Sequence, residues 1–144
     1  MKFSRQRVCL GVLLALLAAC DGKPDAATLA SQAQALQGKI AEIASQTNRA
    51  ASAAVDPDTR LDGAQAGPGR LTISYTLVNA AANGVDSTTF ATRVAPVVKQ
   101  GSCANAALRS LIDQGAVVAL EYRDLKGSAL GTVSVSSETC AALK

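Results

Sequence analysis

Four cysteines and no histidine set the chemistry open to this 144-residue chain. Without an imidazole there is no ordinary Ser-His or Cys-His nucleophile, and zinc sites that use histidine are excluded. The cysteines stand at positions 9, 20, 103 and 140, and none forms a Cys-x-x-Cys pair, so no spacing supports a redox site or a paired metal ligand. Lys99, Ser102 and Lys126 stand in no Ser-Lys motif. Asp86, Asp113, Glu121, Asp124 and Glu138 could supply an acid-base pair, but a helix cap, helix surfaces and a hairpin account for them more simply. Neither a Gly-rich phosphate loop nor an EF-hand pattern is present. The expectation is a protein that is not an enzyme and takes no cofactor or metal.

The thiol at Cys20 has a more specific setting. Lys2, Arg5 and Arg7 form a basic start, and Val8 to Leu17 is an apolar run broken only by Gly11, too short for a comfortable permanent span. It closes on Leu17-Ala18-Ala19-Cys20. Small side chains fit a processing protease, and only a thiol can form a thioether. The stretch resembles bacterial lipoprotein signal peptides. That resemblance implies a diacylglyceryl group on Cys20, cleavage after Ala19, and acylation of the new amino terminus with palmitate-type chains. Residues 1–19 are then a signal peptide and Cys20 the membrane anchor. Several acyl chains hold far more firmly than one, whose grip is marginal at about 0.8 kcal/mol per buried methylene. In enteric bacteria an aspartate after the lipidated cysteine disfavours export to the outer membrane. By that resemblance Asp21 would keep the chain on the periplasmic face of the inner membrane.

Removing the signal changes the charge. Three of the fourteen basic residues lie in it, and the eleven that remain equal the eleven acidic ones, so the processed chain is neutral. Its aromatic residues are Tyr75, Phe90 and Tyr122 only. Neither observation supports nucleic-acid binding. Cys9 leaves with the signal and Cys20 carries lipid, which leaves Cys103 and Cys140 to pair in an oxidising compartment. The loop they close would restrict the unfolded chain by roughly 3–4 kcal/mol in the entropy model.

The elements that must position these groups fall into three stretches after Cys20. Residues 20–54 hold the anchor and an Ala- and Gln-rich segment in which Leu29, Ala33, Leu36, Ile40, Ile43, Thr47, Ala50 and Ala54 recur every three or four positions. This predicts an amphipathic helix or weak coiled coil that docks intermittently or acts as a spacer. Residues 55–70 contain Asp56-Pro57-Asp58 and Gly67-Pro68-Gly69 without periodicity, and read as a flexible linker. Residues 71–144 form the expected disulfide-stapled domain. Leu71, Ile73, Tyr75 and Leu77 alternate with polar residues as a half-buried strand. Asp86 or Ser87 caps a helix presenting Phe90, Val94, Val97 and Val98, with Pro96 kinking or ending it. A second helix covers 104–114, and strands at 116–123 and 130–136 meet through a hairpin at 124–128.

The expected fold is therefore α+β, with a small antiparallel three-stranded sheet in the order strand-helix-helix-strand-strand and helices on one face. Thr72, Ser74, Thr76, Glu121 and Arg123 would line the other face, which, with an exposed strand edge, is the natural surface for a periplasmic protein partner. The plan loosely resembles small disulfide-bearing periplasmic immunity lipoproteins, which cap secreted antibacterial effectors, and this is the leading expectation for function. A secretion-system pilotin or other envelope-assembly accessory is the alternative, and a cell-wall enzyme comes last.

Overall fold

Asp25 opens the first helix by accepting a hydrogen bond from the Thr28 N–H at 2.7 Å, as an N-cap should. Here, in a computed structural model that describes residues 25–81 and 83–143, α1 runs over Ala26–Arg49. The signal peptide, Cys20 and Asp21 lie outside the described residues. Among these residues no helix is long and apolar enough to cross a membrane. The large side chains of the α1 stripe cluster in its second half, and that half is docked. Ile40 has no exposed surface and Ala44 is buried, whereas Leu29 near the start is half exposed.

The segment expected to be a linker is instead part of the sheet. β1 (Ala54–Asp56), β2 (Thr59–Gly67) and β3 (Arg70–Leu77) are consecutive antiparallel strands. Pro57-Asp58 and Pro68-Gly69 make the reversals between them, with Gly69 in the left-handed region at φ +61°. Two physical features hid β2. Its inward residues include Ala64, too small to mark a hydrophobic face. A bulge between Leu61 and Gly63 also shifts the register, so that Leu61 and Ala64, three positions apart, both face the core and period-two alternation is lost.

Three helical segments follow β3. α2 (Ser87–Thr89) is capped by Asp86, which accepts from the Thr89 N–H at 2.7 Å. It passes through a π-turn at Phe90–Val94 into α3 (Ala95–Ala104). Pro96 explains the widened turn, because its ring cannot sit against the carbonyl of a regular α-helix four residues back. The extra residue also rotates the face, which is why Val97, expected inside, is 67% exposed. α4 (Ala106–Asp113) starts at Asn105, which accepts from Leu108 N–H, and ends before Gly115, whose φ is +94°. β4 (Val117–Asp124), β5 (Ala129–Val135) and the short α5 (Ser137–Ala141) complete the order.

The sheet has five strands in the order β1-β2-β3-β4-β5, not three. Nor is it wholly antiparallel, since β3 and β4 are parallel. A helical crossover returns the chain to the end at which β3 began, which forces that direction. The α+β class and the packing of helices against one face hold. One apolar cluster joins Ile40, Ala44, Leu61, Ala64, Leu71, Ile73, Leu111 and Ala116 under α1 and α4. A second joins Phe90, Ile112, Leu120, Tyr122, Val133, Val135 and Cys140 under α3 and α5. Tyr75 and Leu108 touch both clusters, and the Tyr75 and Tyr122 rings stack at 5.1 Å. α1 therefore belongs to the folded domain, which begins well before residue 71. Cys103 and Cys140 are disulfide-bonded across a 5.5 Å Cα separation, tying α3 to α5 beyond the last strand.

Candidate functional site

The parallel register of β3 and β4 sets Thr72 beside Ala119, Ser74 beside Glu121 and Thr76 beside Arg123. Leu71, Ile73, Val118, Leu120 and Tyr122 point into the helix-covered core, so their neighbours occupy the opposite, uncovered face. All five residues expected to meet a partner are thus brought together on one polar surface.

They are not equally available. Thr76 is 3% exposed. Its hydroxyl donates to Asp62 Oδ2 at 2.7 Å and accepts from the Arg60 guanidinium at 3.2 Å. It holds the surface together from beneath and is removed from the set of direct contacts. Thr72, Ser74 and Glu121 are half-buried and Arg123 is exposed. Arg123 stands 3.9 Å from the Glu121 carboxylate, an exposed pair of small energetic weight.

Arg60 and Asp62 of β2 are the residues the linker reading missed. Arg60 Nε lies 3.0 Å from Asp62 Oδ1. Arg60 and Asp62 flank the inward Leu61 and so share the open face, and the bulge that follows returns Ala64 to the core. Gly63 occupies the bulge at φ +150°, and a Cβ there would come within 2.8 Å of Asn48 Oδ1. Asn48, at the end of α1, uses its amide as a strand would. It accepts the Ala64 N–H at 2.7 Å and donates to the Ala64 carbonyl at 2.9 Å. The only sequence signal for this site was Asp62-Gly63 between Leu61 and Ala64, a bulge signature that a period-two search passes over.

Together these groups line a shallow depression of about 570 Å³, with Arg60, Asp62, Gln65, Ser74 and Arg123 on its walls. Its charges alternate in sign and pair internally, which suits recognition of a polar surface better than capture of one strong ion. No group of three or more histidine, cysteine, aspartate or glutamate residues is placed to hold a metal among the described residues. The perturbed titrations lie elsewhere and have structural causes. Hydrogen bonds from Thr28 and from Thr89 hold Asp25 and Asp86 below the usual carboxylate value. Burial pushes the phenols of Tyr75 and Tyr122 upward, helped at Tyr122 by the neighbouring Tyr75 and Asp56.

No protein-family model matches the chain, and no curated protein matches it in sequence. Solved structures do share its fold. The pilotin EpsS of the Vibrio vulnificus type 2 secretion system superimposes with a TM-score of 0.68 at 14% identity, covering 77% of this chain and 96% of that one. The type II secretion pilotin AspS of Vibrio cholerae gives 0.63 at 18% identity, covering 78% and 98%. A Pseudomonas aeruginosa protein classed as secreted gives 0.65 at 16% identity, covering 76% and 96%. At these identities the likeness is one of fold.

Proposed function

We propose that this chain is a lipid-anchored accessory of the bacterial envelope with a pilotin's role, which binds a component of a secretion machine and escorts it to the outer membrane. The observation that carries this reading is the coincidence of fold with two pilotins over nearly their whole length, added to the lipoprotein-type sequence at Leu17-Ala18-Ala19-Cys20. Within it, Cys20 holds the membrane and the described domain holds the cargo. The protein binds and carries; it does not catalyse. The immunity role expected from the sequence has no comparable support, because its argument rested on Asp21 and on a general plan that pilotins share.

The pilotin reading sets Asp21 against itself. Escort to the outer membrane requires that the anchor travel, whereas the enteric rule would retain an aspartate-bearing lipoprotein at the inner membrane. Fractionation resolves this. The native protein is expected in the outer membrane, and Cys20→Ser is expected to leave the secretion channel component unassembled. An inner-membrane native protein, together with normal channel assembly in the Cys20→Ser strain, would sink the proposal.

A further inference from the structure

The two edges of the sheet differ in a way that implies a binding mode. At the first edge, β1 covers the beginning of β2, and the Asn48 amide then occupies both backbone groups of Ala64. The other edge is β5, the last strand in the sheet order. Ala129–Val135 contains no charged residue and no proline. Its backbone is bonded to β4 alone, since no other described backbone hydrogen bond reaches residues 129–135. Natural sheets usually blunt such an edge with lysine, proline or a covering element; this one carries neither lysine nor proline, and the helical segment Ser87–Ala104 packs on its core-facing side while its outer backbone groups have no described backbone partner.

Beside the edge runs a groove of about 270 Å³. Its far wall is the α2–α3 helix, which contributes Ser87, Ala91, Ala95 and Lys99 at four-residue spacing. Small side chains at the first three positions let that wall lie close to the strand. Its floor is Phe90, whose ring fits because Gly131 has no side chain; a Cβ there would lie 2.5 Å from Phe90 Cδ1. The π-turn that starts at Phe90 thus faces the groove, a common position for such turns near functional sites. Lys99 is the one charged residue on the lining, and among the described residues no carboxylate lies within ion-pair distance of it.

We infer that this groove takes an extended segment of a partner protein that carries one acidic residue, adds to the sheet as a sixth strand beside β5 and sets that acidic side chain against Lys99. An unpaired strand edge offers alternating N–H and C=O groups that only an extended backbone can match along its length. The helix wall limits the segment to one strand, and Lys99 sets which charge it carries. The inference deepens the proposed function by naming the form of the cargo's contact, and rests on that reading for the identity of the partner.

The test is a titration of the full lipidated chain in detergent with a fluorescent acetyl-Thr-Val-Thr-Val-Thr-Val-Glu-amide peptide and its counterpart ending in Lys-amide. The Glu peptide is expected to bind more tightly than the Lys peptide and to slow hydrogen exchange at alternate β5 amides. Lys99→Glu should reverse the preference, and Ala91→Trp, which fills the groove from an exposed helix position, should weaken both peptides tenfold or more. Failure of the Glu peptide to bind, or binding indifferent to both substitutions, overturns the inference. A protein that fails this titration yet assembles its secretion channel in cells would keep the proposed function and lose the edge-strand contact; the converse result would do the opposite.

Discussion

The two halves of the domain are held by different means. Under α3 and α5, the Cys103–Cys140 disulfide closes a 37-residue separation over a core of aromatic and branched residues. Under α1 no covalent tie is present among the described residues. There a helix is fixed by Ile40 and Ala44 sinking into the sheet and by side chains that reach backbone groups, Asn48 to Ala64 and Gln37 to the Gly69 N–H at 3.2 Å. A covalent staple tolerates local opening, whereas a docked helix must keep its packing to stay in place. The α1 half should therefore respond to small packing changes and the α3 half to reduction.

The largest effect tests the staple. The double variant Cys103→Ala, Cys140→Ala is expected to lose about 3–4 kcal/mol in denaturant unfolding, and an unchanged midpoint would remove the disulfide from the stability of that half. Next comes Ile40→Ala, which empties a fully buried site and should cost about 2–4 kcal/mol. A loss below half a kilocalorie would return α1 to the role of a spacer. Smaller still is Gly63→Ala, expected to cost about 1–2 kcal/mol because it meets Asn48 Oδ1 and places a side chain at positive φ. Adding Asn48→Ala should recover part of that loss, and strict additivity in this cycle would show that the two residues do not touch.

The smallest effect is a pH dependence at the helix starts. Asp25 and Asp86 titrate below their usual 3.8 because they accept capping hydrogen bonds. A depressed carboxylate stabilises the fold above its unfolded value and stops doing so as pH falls through its folded value. Protection of the Thr28 and Thr89 amides, measured as exchange relative to the intrinsic rate at each pH, should therefore fall below about pH 4, while protection in β4 is kept. Equal loss of protection at all three places would mean global acid unfolding in place of local fraying.

A related division, between the chain before and after residue 71, governs what could be read from the amino-acid order. After it, Leu71 to Leu77 alternates cleanly, Asp86 and Gly115 punctuate their helices, and Cys103 and Cys140 are the two cysteines outside the expected signal and anchor. These signals are local and each has one physical meaning. Before it, the signals are small residues whose meaning depends on neighbours far away in the chain. Ala44 and Ala64 are core positions only because a helix and a strand approach closely across them. The Gly63 bulge erases the alternation that would mark β2, so Pro57 and Pro68 looked like linker residues when they turn hairpins. The candidate surface was half legible for the same reason. Ser74, Glu121 and Arg123 lie on strands with a readable period, whereas Arg60 and Asp62 lie on the strand that has none. Thr76 shows a further limit, since alternation assigned it to the open face and only the Arg60 and Asp62 side chains lying over it explain its burial.

The most direct test of the proposed role is cross-linking of the full-length protein in intact cells, followed by affinity capture and identification of what is attached. The account predicts recovery of an outer-membrane secretion channel component near stoichiometric yield, with cross-links on the domain and not only near Cys20. Recovery of a secreted toxin-like protein in its place would contradict it and restore the protective role that the sequence first suggested.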